Sequence, residues 1–216
     1  MKKAILTSSV VQKALIALSG LFLLFFLLVH LWGNLLLLDR PGRYNQLAQA
    51  LENWGWIFHG LEFALLLALS THIWFTIAIR RQQKKFRPRH THLPHKNAWA
   101  GSWAVNLTSR LMTITGPLIL GFLIIHVQQF RFHPGERNLE VLVTHLFHQP
   151  GWVAMYELAL LPLGLHLAHG FGSSLQSLGF GHEHITPWLP LGSQILSVIL
   201  IFGYALIPLA VYGQHQ

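Results

Sequence analysis

A chain of 216 residues that is 52% hydrophobic, only 10% charged and positive in mean hydropathy leaves little room for anything but a membrane protein built as one helical bundle. Fifteen Lys and Arg against seven Asp and Glu give a net charge of +8, but the basic residues crowd into one short juxtamembrane loop with no recognition motif beside them, so membrane topology explains the charge better than nucleic-acid binding. Cysteine is absent, which excludes disulfides and any thiolate-held iron–sulfur cluster or zinc site within this chain.

In chain order, five apolar runs are long enough to cross a bilayer, since about 20 apolar residues span roughly 30 Å of hydrocarbon. They cover Ala14–Leu38, Ile57–Ile79, Leu107–Phe130, Trp152–Leu175 and Leu189–Tyr212. The first is too long and too uniformly apolar for a secretory signal and reads as a retained anchor. Residues 1–216 therefore read as a single transmembrane domain of the all-α class. Arg80, Arg81, Lys84, Lys85, Arg87, Arg89, Lys96 and Arg110 surround the connection between spans two and three, and Lys2, Lys3 and Lys13 lie at the amino terminus. The opposite side holds only Arg40, Arg43, Arg131 and Arg137. The positive-inside rule then puts the amino terminus in the cytoplasm and, after an odd number of spans, the carboxyl terminus outside, in a multi-pass protein of the cell's inner (plasma) membrane. Trp32, Trp54, Trp56, Trp99, Trp103 and Trp188 near the span ends read as interface anchors. Pro117, Pro162 and Pro208 fall inside spans, where proline removes a backbone bond and favours a kink.

Four spans carry a histidine well inside the apolar run, and an ionisable group at that depth is a functional candidate. At 1.5 Å rise per residue, His30 lies about 24 Å and His126 about 28 Å above the cytoplasmic end of their spans. His72 and His166 lie only about 12 Å and 14 Å up. Neighbouring spans run in opposite directions, so equal sequence spacing does not produce matched depths. Two pairs at two levels suggest two haems, each with two axial imidazoles, an arrangement that satisfies the buried nitrogens and suits electron transfer. Gly33, Gly121, Gly164 and Gly170 lie near these histidines, where a flat macrocycle needs room, although glycine also serves plain helix packing. A lone histidine in a span is as often a packing or proton-path residue, and a zinc site would gather its ligands at one depth.

The segments SGLFLLFFLLVHLWGNL, GLEFALLLALSTHIW, TSRLMTITGPLILGFLIIHVQQF and GLHLAHGFGSSLQSLGF resemble the single-chain, five-helix cytochrome b membrane subunit of succinate dehydrogenase and fumarate reductase, respiratory complex II. The resemblance covers four spans. It implies that His30 and His126 ligate an outer haem b, and His72 and His166 an inner one. It also implies a flavoprotein and an iron–sulfur subunit docked on the cytoplasmic face, and exchange of electrons with a quinone, commonly menaquinone. The residues alone also require partners: no segment outside the spans exceeds about thirty residues, far below a folding domain that could hold a dehydrogenase site.

Of the remaining polar residues, His169 sits one turn from His166 and is expected to contact a haem propionate; His166 holds the motif position and is the expected ligand. Arg110 is a second candidate for a propionate or a simple interface anchor. Glu62, in the outer half of span two, could take protons from quinol, or bond to His59. Glu157 is a weaker candidate of the same kind. Lys13 and Ser19 could line a quinone pocket. His90, His92 and His95 resemble a metal site by count but read as a solvated loop. The alternatives are a cytochrome b anchor of a formate dehydrogenase or hydrogenase, and a haem-free anchor or transporter.

Overall fold

The computed structural model describes residues 8–86, 103–132, 138–181 and 184–214. Five long helices dominate: α1 (Ser9–Leu35), α3 (Trp56–Phe86), α4 (Trp103–Phe130), α6 (Pro150–Ser177) and α7 (Leu189–Gly213). Two short ones, α2 (Arg43–Glu52) and α5 (Leu139–Phe147), join α1 to α3 and α4 to α6. The described residues contain no strand, so the long elements satisfy their backbone polar groups within helices. All five long helices are long and apolar enough to cross a membrane.

Their ends differ from the apolar runs because helical backbone continues into the flanking residues. Span one starts earlier, at Ser9, and ends in a 3-10 turn over Leu36–Leu38. Span two continues to Phe86, through Arg80 and Arg81. The helices also run on through Pro117, Pro162 and Pro208. At the end of α6, Gly179 takes φ 94° and lets Phe180 N–H bond Leu175 C=O at 3.0 Å and Gly179 N–H bond Gln176 C=O at 3.1 Å. This left-handed cap satisfies carbonyls that the helix end would leave open.

Successive long helices alternate in direction, and α1, α3, α4 and α6 surround the centre. Around it, α1 packs on α3 and α6, and α4 packs on α6, while α7 lies against α6 and α1 from outside. The α3 and α4 backbones barely approach each other. Long side chains cross that side instead, Arg131 to Glu62 at one end and Arg80 to Thr113 at the other. The short helices cap the end carrying Arg131: Gly42 N–H donates to Glu140 Oε2 at 3.0 Å, and Glu140 N–H to Asn45 Oδ1 at 3.1 Å.

The buried core runs through Leu24, Leu31, Phe147, Tyr156, Leu167 and Leu200. Large apolar side chains also point outward on every long helix, among them Phe25, Phe63, Trp74, Ile124, Leu158 and Phe202. A soluble monomer rarely carries so continuous an apolar exterior, which is the kind of surface a bilayer would cover. Trp32, Trp54, Trp56 and Trp188 are exposed near helix ends.

Candidate functional site

Two pairs of imidazoles meet inside the bundle. His30 on α1 and His126 on α4 have ring centroids 5.9 Å apart with planes at 88°. His72 on α3 and His166 on α6 are 6.2 Å apart at 59°. Neither pair joins helices that otherwise pack: α1 and α4, like α3 and α6, face each other diagonally across the centre. A metal held by imidazole nitrogen at about 2.0–2.1 Å stands roughly 3.2 Å from the ring centre, so two rings on opposite sides of one ion are roughly 6.3 Å apart. Both pairs are close to that separation. Among the described residues no three His, Cys, Asp or Glu side chains converge. Each site therefore offers two imidazoles; a metal there would need its remaining ligands from elsewhere, as a planar macrocycle could supply.

The rings are oriented by their neighbours. His72 Nδ1 lies 3.1 Å from the Ile16 carbonyl and 3.4 Å from Ser19 Oγ. A carbonyl can only accept, so Nδ1 carries the proton and Nε2 is left as the donor nitrogen for a metal. His126 Nδ1 lies 3.2 Å from Tyr156 Oη, whose own proton goes to Gln129 Oε1 at 2.6 Å. The phenol must then accept from His126, which leaves Nε2 in the same state. His166 Nδ1 lies 3.4 Å from Thr115 Oγ1. Hydrogen-bonding the outer nitrogen of a ligating imidazole is the usual way to set its tautomer and ring direction. His30 is stacked on Phe26, with centroids 5.1 Å apart, and lies 6.2 Å from the Tyr204 ring.

The glycines divide between ring clearance and helix packing. A Cβ on Gly20 would come within 3.1 Å of His72 Cε1 and 3.3 Å of its Nδ1, so Gly20 is what lets this ring lie against α1. Gly164 faces Ile201 and Ser197, and Gly33 faces Leu47, so both serve packing. Gly121 and Gly170 border open space.

The other expected residues fall in different places. Ser19 is buried beside His72 and also donates to the Leu15 carbonyl at 2.6 Å. Lys13, six residues earlier and about 120° around the helix, is exposed. Glu62 makes a two-pronged pair with Arg131, at 2.6 and 3.2 Å, and lies 3.1 Å from His59 Nδ1. Arg110 is exposed. Among the described residues Arg80, half-buried on α3 and bonded to Thr113, is a cation within electrostatic reach of His166. His169 lies one turn beyond His166 on α6, and the ring that faces His72 is that of His166. Glu157 has a buried carboxylate oxygen without a hydrogen-bond partner among the described residues. His90, His92 and His95, with Arg87, Arg89 and Lys96, lie outside the described residues.

Gly20, Thr115, Tyr156, Gln129 and Arg80 were not singled out as site residues from the sequence. Polar side chains inside apolar runs were a usable signal for Thr115, Tyr156 and Gln129. Which of them meets a histidine depends on helix rotation.

No described protein family, no curated protein and no solved structure matches this chain. Fold and site together define a class: an all-helical chain with five helices able to cross a membrane and two diagonal imidazole pairs at two levels.

Proposed function

We propose that the chain is a di-haem cytochrome b that anchors a quinone-linked dehydrogenase in the membrane. Its particular place, on the strength of the sequence resemblance, is the membrane subunit of a succinate:quinone oxidoreductase, respiratory complex II, with menaquinone as the expected quinone. The observation that carries this reading is the separation of the imidazoles, 5.9 and 6.2 Å, in two pairs that span the bundle's diagonals.

His30 with His126 and His72 with His166 would each hold one haem b, which would supply one-electron transfer and, with two histidine ligands, no open position for oxygen chemistry. The chain's own contribution is positional. Its histidines are delivered from diagonal helices, so closing the bundle also closes the ligand set. The Ile16 carbonyl and the Tyr156 phenol hold protons on Nδ1 of His72 and His126 and keep their Nε2 atoms available, and Thr115 Oγ1 lies within hydrogen-bond reach of His166 Nδ1. Arg80 sets positive charge beside the His72 and His166 level, where it can balance a propionate. The apolar exterior keeps water and competing donors away from the interior.

The end bearing Arg80 and Arg81 is the cytoplasmic face in this reading, and the basic loop beyond it docks the iron–sulfur and flavoprotein subunits. His30 and His126 then lie near the outer surface. A quinone reacting at that level would make turnover sensitive to membrane potential, since one charge crossing the full field is worth about 2.3 kcal/mol per 100 mV.

The test is a reduced-minus-oxidised spectrum of the purified complex with its copurifying subunits identified. The expected result is b-type bands, two haems per chain and a succinate-oxidising flavoprotein partner. A colourless preparation overturns the reading, and a formate- or hydrogen-oxidising partner moves it to another quinone-linked dehydrogenase.

A further inference from the structure

We propose that Tyr156, held by Gln129, is the positioning residue of the His30 and His126 site and tunes the reduction potential there independently of the other site. This rests on the haem reading above.

The two sites orient their rings by different means. His72 donates to a backbone carbonyl, fixed by helix α1. His126 donates to a phenol on α6, and that phenol is set by a side-chain amide on α4, the helix that carries His126 itself. Tyr156 is buried, with its ring set edge-on against Phe122 at 5.1 Å and Phe147 at 5.0 Å. Its oxygen therefore has little freedom to leave the line from His126 to Gln129. The Gln129 oxygen takes the phenol proton at 2.6 Å, and a phenol that donates becomes a better acceptor for the imidazole N–H.

The electronic consequence has a definite sign. An acceptor on Nδ1–H makes the imidazole a more basic ligand. A more basic ligand favours the ferric over the ferrous ion and lowers the potential. Removing the acceptor raises it, and only where His126 is the ligand.

The experiment is an optical redox titration of the purified complex carrying Tyr156→Phe, which keeps the ring packing and deletes the oxygen. Partners of ligating histidines typically change metal affinity by 10- to 100-fold. A tenfold loss of preference for the ferric state moves a one-electron midpoint by about 59 mV. The expected result is a positive shift of that order in one centre, the one that a His126→Ala variant lacks, with the other midpoint unmoved as an internal reference. Gln129→Leu should shift the same centre in the same direction by less, and it carries the test alone if Tyr156→Phe does not accumulate. Unmoved midpoints, a negative shift or a common shift of both centres overturns the role of Tyr156 while leaving the haem reading intact. A wild-type complex without b-type bands overturns that reading first, and this proposal with it.

Discussion

The carbonyl of Ile16 on α1 accepts the Nδ1–H of His72 on α3 at 3.1 Å, so the main chain of one helix sets the ring of its neighbour. The contact is possible because Gly20, one turn on, has no side chain to hold the ring away.

Gly20→Ala tests that relationship. Alanine favours a helix by up to about 1 kcal/mol over glycine, so propensity alone predicts a gain. The new methyl would instead stand 3.1 Å from His72 Cε1, and the ring must give way. The expected outcome is loss or weakening of one b-type centre in the spectrum, while Gly192→Ala on α7, with nothing within 4 Å of its added carbon, leaves both.

Single replacement of a ligand should remove one centre and spare its counterpart. His72→Ala and His166→Ala should give the same residual spectrum, and His30→Ala and His126→Ala the other. The measurement is haem content per chain together with the redox midpoint that survives. Four variants falling into any other grouping would contradict the pairing by 5.9 and 6.2 Å separations.

Glu62 and Arg131 form a two-pronged ion pair, but their side chains are 32% and 53% exposed. Exposed pairs contribute about 0–1 kcal/mol. Glu62→Gln should therefore change thermal stability little. If the carboxylate also accepts protons from quinol, the same variant lowers quinol turnover by at least tenfold with the haem spectrum unchanged, whereas a purely structural pair leaves turnover near wild type.

Packing of α7 on the bundle rests on small residues and hydroxyls. Ser193 is fully buried, accepts from Gly172 N–H at 2.9 Å and donates to Leu189 C=O at 2.7 Å. A Cβ on Gly203 would reach 2.8 Å from Leu31 Cδ2. Ser193→Ala should cost about 0.6–2 kcal/mol, the range of interhelical hydrogen bonds in membranes. Gly203→Ala should cost about 1–3 kcal/mol through overpacking. Detergent melting of the purified chain reads both. Because α7 carries none of the paired histidines, neither variant should remove a b-type centre.

Much of the architecture was legible in the chain because hydrocarbon imposes one rule everywhere: a long apolar run must be a helix, and its length must match the bilayer. Five such runs gave five long helices, and the depth of a histidine along each could be counted from residue number alone. The short helices α2 and α5 escaped that count, since ten and nine residues at an interface carry no length signal.

Rotation about each helix axis and the choice of neighbours were decided only by tertiary packing. Depth placed His30 level with His126, but the side on which α4 meets α6 is what brings Tyr156 and Gln129 to the His126 ring. Likewise Arg80 reaches Thr113 on α4 because α3 remains helical past the apolar run and points that guanidinium toward its neighbour. Distance along a helix axis is a local property, set by a rise of 1.5 Å per residue. Facing direction is a collective one, set by how all the helices interlock.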